Sequence, residues 1–556
     1  MGEQFESVFD YVVVGGGLAG CTVAARLSEN PDVRVVLIEA GGENQYEPSY
    51  YSTGAHAMFE TEANWAFKTG PQSALNNNEV AQPRGKVIGG SAAINIGSWS
   101  RGIAADYDAW QAAGAAGWNW KDALSYYEAI EASKRPDGGG RGRRGPMILE
   151  DTPVVSRMTD LLRQACIEAG YGTTEDHNGA KFDGFDLWET IFPYGRRRNS
   201  AEAYLRLARV RKNLSILTRS MTTRIHIAGN RATGVEIKRD GRTQTITAAR
   251  EVLLCAGAFG SPQLLMLSGI GPGDHLRAHG IKVIRDLPGV GANLIDHLAT
   301  RLGWAAETSG ATAPLYSDPS DPSPLETWRH SGTGPLAANP YTSIAFVRST
   351  DDVALPDIEL LFGVNPPDSL VVDKSASGFT VFVAHVTPRS RGTVRLKSAD
   401  PLDPPVIDPG YLTDPNDLPV LIAGVRRALA LAATQALKPY TGKYEVDQGA
   451  TDEAITAWIR SHPVSMYHPV GTARIGASDD KHAVLDPELR VRGIDGLRVL
   501  DVSAMPDIIR GHTMAPALYI AERGAAVMVS ENERGNSILT RNEFVAAPAK
   551  EISNGV

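Results

Sequence analysis

Apolar residues fall into two patterns along this chain, and together they predict alternating strands and helices. A β-branched run, Val12 to Val14, leads through a glycine-rich turn into an alanine-rich stretch with helical spacing that ends near Leu27. A second apolar run extends from Arg34 to Ile38. Short β-branched runs separated by helical stretches indicate parallel strands joined by crossover helices. The chain is therefore predicted to begin with a β–α–β unit.

The alternation of strand and helix patterns continues later in the chain. Helical spacing occurs at residues 121–132, 155–169, 201–208, 261–272 and 416–434. Strand patterns occur at 214–218, 222–228, 232–238, 251–257 and 497–501, and they alternate over 341–398, for example at 380–385 and 392–397. The runs at 251–257 and 497–501 are each followed by a glycine-containing turn and a helical stretch, as in the opening unit. We therefore predict an α/β fold: a Rossmann-like dinucleotide-binding domain that is discontinuous in sequence, and an α+β cap domain of sheet and helix.

The length of 556 residues exceeds what one hydrophobic core supports, so two or more domains are expected. We assign residues 1–155, 211–300 and 481–535 to the dinucleotide-binding domain and 156–210 and 301–480 to a substrate-binding domain. Residues 536–556 are predicted to be a flexible tail. Two segments rich in glycine, proline or serine are predicted loops: a basic, solvated surface loop at 135–146 and a mobile loop or lid at 310–340.

Composition narrows the classes of partner. The formal net charge of −9 argues against nucleic acid or an anionic membrane surface. No apolar run is long enough to span a membrane, and the acidic N-terminus does not resemble a signal peptide. Three cysteines without Cys-x-x-Cys spacing do not form a disulfide framework, and no His, Cys or carboxylate spacing is typical of a metal site. A cytoplasmic protein without a bound metal is expected.

The first turn carries candidate chemistry. Gly15, Gly17 and Gly20 form a G-x-G-x-x-G pattern between strand and helix, where glycine allows a tight turn and a close approach to a pyrophosphate. Glu39 follows the second strand, about where a carboxylate meets a ribose 2′-hydroxyl, which disfavours NADP. By itself this fingerprint also fits an NAD-dependent dehydrogenase.

Further motifs define a resemblance to a family. They are the segments 83–95, 257–265, 288–297, 467–472 and 511–516, which appear in this order after the fingerprint. Over roughly residues 8–530 the chain resembles the glucose–methanol–choline family of FAD-dependent alcohol oxidases and dehydrogenases. The resemblance implies FAD as the cofactor. Some family members attach flavin covalently through a histidine just before the position of Asn95; here that residue is Ile94, so we expect non-covalent FAD.

The resemblance also implies which residues bind the cofactor. The positions that match are Gly15, Gly16, Gly17, Leu18, Ala19, Gly20, Glu39, Ala40, Trp65, Arg84, Val87, Gly90, Ser91, Asn95, Thr222, Ala256, Gly257, Asp501, Val502, Thr513 and Met514. Thr222 stands where family members usually carry valine and present backbone to adenine.

Two histidines are the predicted catalytic residues. His468 lies on an irregular segment bounded by proline and glycine, and His512 follows a strand end, where parallel sheets place ligands. Imidazole titrates near neutral pH and is suited to proton transfer. The resemblance implies that His468 is the general base and that His512 orients the alkoxide, although many members have asparagine at that position.

Three other histidines are predicted to lie outside this catalytic pair. His297 is expected to fix a turn in the cofactor domain, and His385 and His462 are candidates to approach the substrate. Arg197, in the cluster 196–198, matches a family arginine and is expected to pair structurally rather than to bind an anionic substrate.

The predicted reaction is oxidation of an alcohol by hydride transfer to flavin N5, with oxygen or a dye- or quinone-like carrier as electron acceptor. A primary aryl, furanic or aliphatic alcohol is favoured, and a sugar or polyol of the sorbose type is the alternative. A hydroxynitrile-type lyase, an NAD-dependent dehydrogenase and a non-enzymatic flavin protein remain competing hypotheses. Aromatic residues of the cap (Trp328, Tyr341, Phe362 and Phe382) fit an apolar substrate or a packed core. The protein is expected to be a monomer or a small homo-oligomer.

Overall fold

A computed structural model describes residues 7–136, 138–152, 156–306, 323–370 and 377–535, with side chains to residue 531. Its helices are α1 (Leu18–Leu27), α2 (Ala104–Ala112), α3 (Trp120–Ile130), α4 (Arg157–Glu168), α5 (Arg206–Ala208), α6 (Gly257–Leu267), α7 (Gly273–Ala278), α8 (Ser323–Ser331), α9 (Asp417–Ala432), α10 (Asp452–Ser461) and α11 (Met514–Gly535). A π-helical turn, Ala201–Leu205, precedes α5. No helix among these residues combines the length and apolar character needed to cross a membrane.

The predicted strands occur in the predicted order, and the structure adds others, both short and long. They are β1 (Val8–Val14), β2 (Val35–Ile38), β3 (Phe67–Lys68), β4 (Ala81–Gln82), β5 (Glu131–Ser133), β6 (Met147–Asp151), β7 (Gly184–Leu187), β8 (Glu189–Thr190), β9 (Leu214–Leu217), β10 (Met221–Ala228), β11 (Arg231–Arg239), β12 (Arg242–Leu254), β13 (Ile270–Gly271), β14 (Arg285–Asp286), β15 (Leu298–Ala305), β16 (Tyr341–Val347), β17 (Ile358–Gly363), β18 (Gly378–His385), β19 (Thr393–Arg395), β20 (Val406–Asp408), β21 (Lys443–Tyr444), β22 (Pro463–Ser465) and β23 (Leu497–Val499).

The first large sheet confirms the discontinuous α/β domain. Its order is β10-β11-β12-β1-β2-β9, with β23 paired to β12. The strands β9, β2, β1, β12 and β23 run parallel, whereas β10, β11 and the first half of β12 form an antiparallel extension. These strands are buried in one large apolar core and are almost continuously apolar, as is typical of a parallel sheet that is covered on both faces. The carboxyl ends of β1, β2, β12 and β23 meet at one edge, where such sheets bind ligands.

The second large sheet is antiparallel and confirms the α+β cap. Its order is β21-β15-β18-β17-β16-β7, with β22 also paired to β15. A separate apolar core lies between this sheet and the helices α4, α9 and α10. Helix α9 lies against the sheet at Gly424, where a Cβ would stand 2.6 Å from Val383. The inner strands β16, β17 and β18 carry residues toward the carboxyl edge of the first sheet.

Helix α6 starts earlier than predicted. It begins at Gly257 rather than at 261, so Pro262 lies inside it and not at its start. A proline removes the N–H that would bond the carbonyl four residues before it. Here that carbonyl, on Ala258, accepts a hydrogen bond from the Thr472 hydroxyl at 2.7 Å instead. The helix therefore continues through the proline.

The prediction of a solvated basic loop at 135–146 was wrong for its main charges. Arg135 and Arg141 are both buried and turn inward. Arg141 pairs with Glu131 at 2.8 Å, and both arginines contact Asp176. Buried carboxylates require compensating charge, and this loop supplies it. The glycines of the segment allow the chain to follow the buried acids closely.

The predicted mobile segment at 310–340 is only partly described. Residues 310–322 lie outside the described residues, as does the predicted tail at 536–556. The remainder is ordered: helix α8 buries Trp328, whose indole N–H donates to the Gly195 carbonyl at 2.8 Å. Arg196 stacks over the Trp328 ring at 4.2 Å. Residues 323–340 therefore contain a helix instead of the irregular loop that composition predicted, because an apolar anchor outweighs the loop-like composition.

Candidate active site

A cavity of about 400 Å³ lies between the two sheets. One end is formed by the turns after β1, β2, β12 and β23, and the other by residues of β16, β17, β18 and the segment 464–469. Both predicted catalytic histidines line it. So do eighteen of the predicted cofactor-binding residues: Gly15, Gly17, Leu18, Ala19, Glu39, Ala40, Trp65, Arg84, Gly90, Ser91, Asn95, Thr222, Ala256, Gly257, Asp501, Val502, Thr513 and Met514.

Three residues predicted to bind the cofactor do not line the cavity. The N–H of Gly16 is turned away and donates to Glu39 Oε2 at 2.7 Å. Gly20 packs against the first turn, where a Cβ would lie 1.9 Å from the Gly15 carbonyl oxygen. Val87 is buried among the apolar residues Met58 and Ile94. These residues support the cavity wall from behind.

Glycines build the dinucleotide end. Gly15 has φ +103°, and a Cβ there would stand 2.5 Å from the Cys255 carbonyl oxygen. Gly90 has φ +56°, and its Cβ would stand 2.6 Å from Gly17 Cα. The N-cap residue of helix α1 is Gly17, which has no side chain to cap the helix, so its first N–H groups are open toward the cavity. An uncapped N-terminus between two bare glycine turns fits a pyrophosphate.

Glu39 lies beside this cradle. Its carboxylate accepts hydrogen bonds from the N–H groups of Gly16 and Gly41, at 2.7 and 2.8 Å. Burial nevertheless raises its pKa to about 7, with these hydrogen bonds and nearby Lys86 opposing the shift. A further hydroxyl donor, such as a ribose, would stabilise the charged form. The geometry therefore suits the predicted ribose contact.

Asp501 joins β23 to helix α6. Its Oδ2 accepts hydrogen bonds from the Gly257 N–H at 2.9 Å and the Ser261 hydroxyl at 2.6 Å, and its Oδ1 accepts one from the Ser503 N–H. Burial raises the pKa of this carboxyl, while the hydrogen bonds act against the shift. The residue fixes two cavity-lining turns relative to each other.

His468 is held firmly at the opposite end. Tyr467 before it has φ +64°, and the Tyr467 carbonyl accepts a hydrogen bond from Arg84 at 2.9 Å. The His468 N–H donates to Asp296 at 2.8 Å, and Asp296 also accepts hydrogen bonds from Gln82 and Ser465. This buried aspartate, which the sequence interpretation did not single out, locks the turn that presents the histidine.

The ring of His468 faces both the cavity and a second histidine. Its Nδ1 lies 3.0 Å from Nδ1 of His297, and its Nε2 has no hydrogen-bond partner among the described residues. Burial, together with His512 and His297, holds the pKa of His468 well below its usual range. Burial likewise lowers the pKa of His297 to about 3. Both imidazoles are therefore neutral near neutral pH.

His512 has a different partner. Its Nε2 lies 2.9 Å from Oε1 of Glu359 on β17. The ring is 4.6 Å from that of His468, centre to centre, and 5.4 Å from that of Trp188. Glu359 was missed at the sequence level; the available signal was one acid inside the otherwise apolar run Ile358–Gly363.

The other residues that were candidates for the site differ in whether they lie near the cavity. His297 does not merely fix a turn, as predicted, because it contacts His468 directly. His385 lies near Asp417, and His462 stacks on Trp458, so neither lines the cavity. Arg197 pairs structurally, as predicted: it donates to Asn95 Oδ1 at 2.7 Å and to the Ser49 and Ala92 carbonyls.

The aromatic residues divide in the same way. Tyr341 and Phe382 line the cavity and meet edge to face, with ring centres 5.5 Å apart. Trp328 and Phe362 are buried elsewhere and serve packing. Leu361, Val464 and Met466 complete the apolar wall beside the two histidines.

Comparison with known proteins relates both parts of the chain to one family. A family model described as GMC oxidoreductase matches residues 9–299, and its C-terminal counterpart matches residues 388–521. An oxygen-dependent choline dehydrogenase of Sinorhizobium medicae is 40% identical over 93% of this chain and 94% of that protein. The structure of pyridoxine 4-oxidase from Mesorbium loti matches with a TM-score of 0.84 and 31% identity, over 93% of this chain and 98% of that one. A fungal aryl-alcohol oxidase matches with a TM-score of 0.80 and 25% identity, over 95% and 100%.

Proposed function

Since the chain belongs to the GMC oxidoreductase family and FAD is its cofactor, we propose that it oxidises a neutral primary alcohol to an aldehyde, with His468 as the general base. The observation that carries this proposal is the pair His468 and His512, which face one cavity with the dinucleotide cradle at its other end.

The residues present fit FAD. The bare turns at Gly15 and Gly90 leave room that any Cβ would fill, and Glu39 offers a carboxylate beside them. The segment from Arg84 to Asn95 would extend along the pyrophosphate and the flavin, since it connects this cradle to the histidines. When bound, the flavin supplies the hydride acceptor that alcohol oxidation requires.

His468 is suited to accept the hydroxyl proton. If Nδ1 of His468 donates to Nδ1 of His297, the lone pair of His468 Nε2 faces the cavity. Its low pKa keeps that lone pair unprotonated at neutral pH. The substrate O–H bond would break as an N–H bond forms at Nε2, and His512 would orient the resulting oxygen.

The walls near the histidines favour a neutral, planar substrate. Tyr341, Leu361, Phe382 and Met466 present apolar surface there. Among the described residues that line the cavity, the carboxylates are Glu39 and Asp501, both at the dinucleotide end. A choline-like cation would meet no carboxylate that lines the cavity at the histidine end. The solved neighbours named for pyridoxine and aryl alcohols support an aromatic or furanic alcohol.

Anaerobic flavin bleaching tests this function. We expect benzyl and furanic alcohols to bleach the purified yellow holoprotein, and choline and sorbose to do so at least ten times less efficiently. Re-oxidation by air or by a dye then identifies the electron acceptor. A holoprotein that no alcohol bleaches, and that releases cyanide from a hydroxynitrile, would instead be a lyase. Activity that required added NAD would likewise contradict the proposal.

Flavin attachment is tested separately. We propose non-covalent binding, because Ile94, which lines the cavity, has no nucleophile. Acid precipitation should release the yellow colour into the supernatant. Colour retained in the pellet would contradict this expectation.

A further inference from the structure

A small cavity, which shares no wall residue with the one that holds the two histidines, lies beside Asp296. Its volume is about 10 Å³, which is roughly the space that the centre of one water molecule occupies. No substrate or cofactor fits there. Leucine and proline residues form part of the wall, and its polar residues are Asp296, His385, Ser390, Tyr411 and Asp417. A buried cavity with so polar a wall requires an explanation.

His385, the last residue of β18, has one nitrogen unsatisfied at this cavity. Its side chain is 4% exposed, and its Nε2 lies 3.3 Å from the Thr387 hydroxyl. Its Nδ1 has no hydrogen-bond partner among the described residues and stands 3.8 Å from Oδ1 of Asp417, which is too long for a direct hydrogen bond. Burial lowers the pKa of His385, with Asp417 and Asp357 opposing the shift, so the ring is neutral near neutral pH. A buried polar atom in this position is costly unless a further group between the two side chains bonds to both.

A metal ion does not fit this gap. Among the residues that the structure describes, one group of three has carboxylate and imidazole atoms that all lie within 4.8 Å of one another, and it consists of Asp176, His177 and Asp186. The two carboxylates and the imidazole of the small cavity are spread more widely. They therefore do not form a set of ligands around one ion.

A water molecule fits the same gap in size and in chemistry. Because water both donates and accepts hydrogen bonds, it satisfies Nδ1 of His385 in either tautomer of the ring and can donate to Asp417 at the same time. The wall offers it further partners at Asp296, Ser390 and Tyr411. The site therefore reaches the roughly two to four hydrogen bonds that a buried water makes.

The small cavity lies between two segments of the structure that are far apart in sequence. On one side, Oδ1 of Asp296 accepts the hydrogen bond from the His468 N–H at 2.8 Å. On the other side, Asp417 begins helix α9 and accepts hydrogen bonds from the N–H groups of Arg389 and Ser390 at 2.8 and 2.9 Å. The cavity thus joins the turn that presents His468 to the first turn of a cap helix.

We propose that the small cavity binds one structural water molecule, which bridges His385 and Asp417 and supports the aspartate that holds the general base. His385 is then a positioning residue: it acts through the water and Asp296, and it does not touch the substrate. The water site itself is independent of the reaction, whereas its effect on His468 rests on the proposed function and deepens it.

A crystal structure of the holoprotein at high resolution tests the water directly. We expect one ordered water about 2.7–3.2 Å from both Nδ1 of His385 and Oδ1 of Asp417. His385→Leu should lose this water, because it removes the nitrogen. His385→Asn should keep it, because the amide group begins at the same Cγ and places a polar atom where Nδ1 was. An empty cavity, a water that remains in His385→Leu, or density about 2.0–2.4 Å from these atoms, which is typical of a metal ion, would overturn the proposal.

The rate of anaerobic flavin bleaching tests the link to His468. In His385→Leu with FAD bound, the limiting rate should fall about three- to tenfold, because a slightly displaced base reacts more slowly. The alcohol concentration at half the limiting rate should not change, since His385 does not contact the substrate. His385→Asn should restore the wild-type rate, and a limiting rate in His385→Leu equal to that of the wild type would overturn the positioning role.

A control and a second variant keep the outcome clear. Thr387→Val removes the partner of Nε2 but leaves Nδ1 in place, so it should keep both the water and the bleaching rate. If His385→Leu does not retain FAD, His385→Gln supplies the test. Its longer amide reaches the place of Nε2 and leaves that of Nδ1 empty, so the water should be lost there too.

Failure of this inference differs from failure of the proposed function. The density for the water needs no substrate turnover, whereas bleaching by alcohols needs no water in the small cavity. A protein that bleaches with alcohols but has an empty small cavity keeps the function and loses the water site.

Discussion

The two ends of the cavity are built in different ways. The dinucleotide end is made of backbone: glycine turns, an uncapped helix and strand ends that lie next to each other in a parallel sheet. The histidine end is made of side chains contributed by His297, Glu359, His468 and His512, which come together only in the folded chain. A site built from backbone is sensitive to any substitution that adds bulk, but it is little affected by the chemical character of the side chains around it. A site built from side chains depends mainly on the chemical groups that those side chains carry.

The largest effect should come from the side-chain end. Replacing His468 by alanine should lower kcat by about 10²–10⁴, the usual size of a general-base contribution, with flavin still bound. His462→Ala, close in sequence but stacked on Trp458 away from the cavity, is the matched control and should keep its turnover. Stopped-flow bleaching measures both variants. Normal turnover in a flavin-loaded His468→Ala variant would show that the histidine end does not depend on this side chain for catalysis.

At the backbone end, the substitution expected to have the next largest effect acts by adding bulk to a glycine turn. Gly90→Ala forces a Cβ to within 2.6 Å of Gly17 Cα at positive φ. Strain of about 1–3 kcal/mol should weaken FAD binding by roughly 5- to 150-fold, as measured by titration of the apoprotein. Gly229 shares the positive φ but has open space around it, so Gly229→Ala should keep FAD affinity. Equal losses in the two variants would assign the effect to general instability.

Lowering the pH should destabilise the folded protein through His297, a buried histidine of the side-chain end. Because the pKa of His297 falls to about 3 in the folded protein, from 6.5, the unfolded chain binds the extra proton between these values. Stability is therefore fully present above pH 6.5 and falls as pH decreases, by about 1.4 kcal/mol per unit for this group. Urea unfolding of wild type and His297→Asn at pH 7.0, 6.0 and 5.0 measures the difference. Parallel profiles would contradict the burial of a neutral imidazole.

The smallest effect is expected at Thr222. Its hydroxyl is buried without a hydrogen-bond partner among the described residues, so only shape and backbone matter there. Thr222→Val should change FAD affinity by less than about twofold, since losing an unpaired hydroxyl costs little. The same titration measures it. A tenfold loss would mean that this side chain contacts the cofactor.

The difference between a site built from backbone and one built from side chains also explains which features the sequence could predict. The glycines, Glu39 and the strand–turn–helix order are local signals, and a local signal survives in sequence because its geometry lies within a few residues. His468 and His512 required the family resemblance, since nothing in their neighbourhood brings them together.

Side-chain partnerships across the fold escaped prediction altogether. Glu359 looked like one polar position in an apolar strand, and His297 looked like a turn residue, because their partners lie more than a hundred residues away. The inward-facing Arg135 and Arg141 were misjudged for the same reason: composition indicates a loop, but it does not reveal buried acids that attract its charges.

The discontinuous sheet has a consequence for biosynthesis. Strand β1 pairs with β12, and β12 pairs with β23, so the edge that cradles the dinucleotide stays incomplete until the last strand has left the ribosome. At about 5–20 residues per second, that interval is roughly 25–100 s after β1 emerges. During it, β1 and β2 expose apolar faces and unpaired edges. Such a nascent chain is a natural client for chaperones, and cofactor loading is a late step in its maturation.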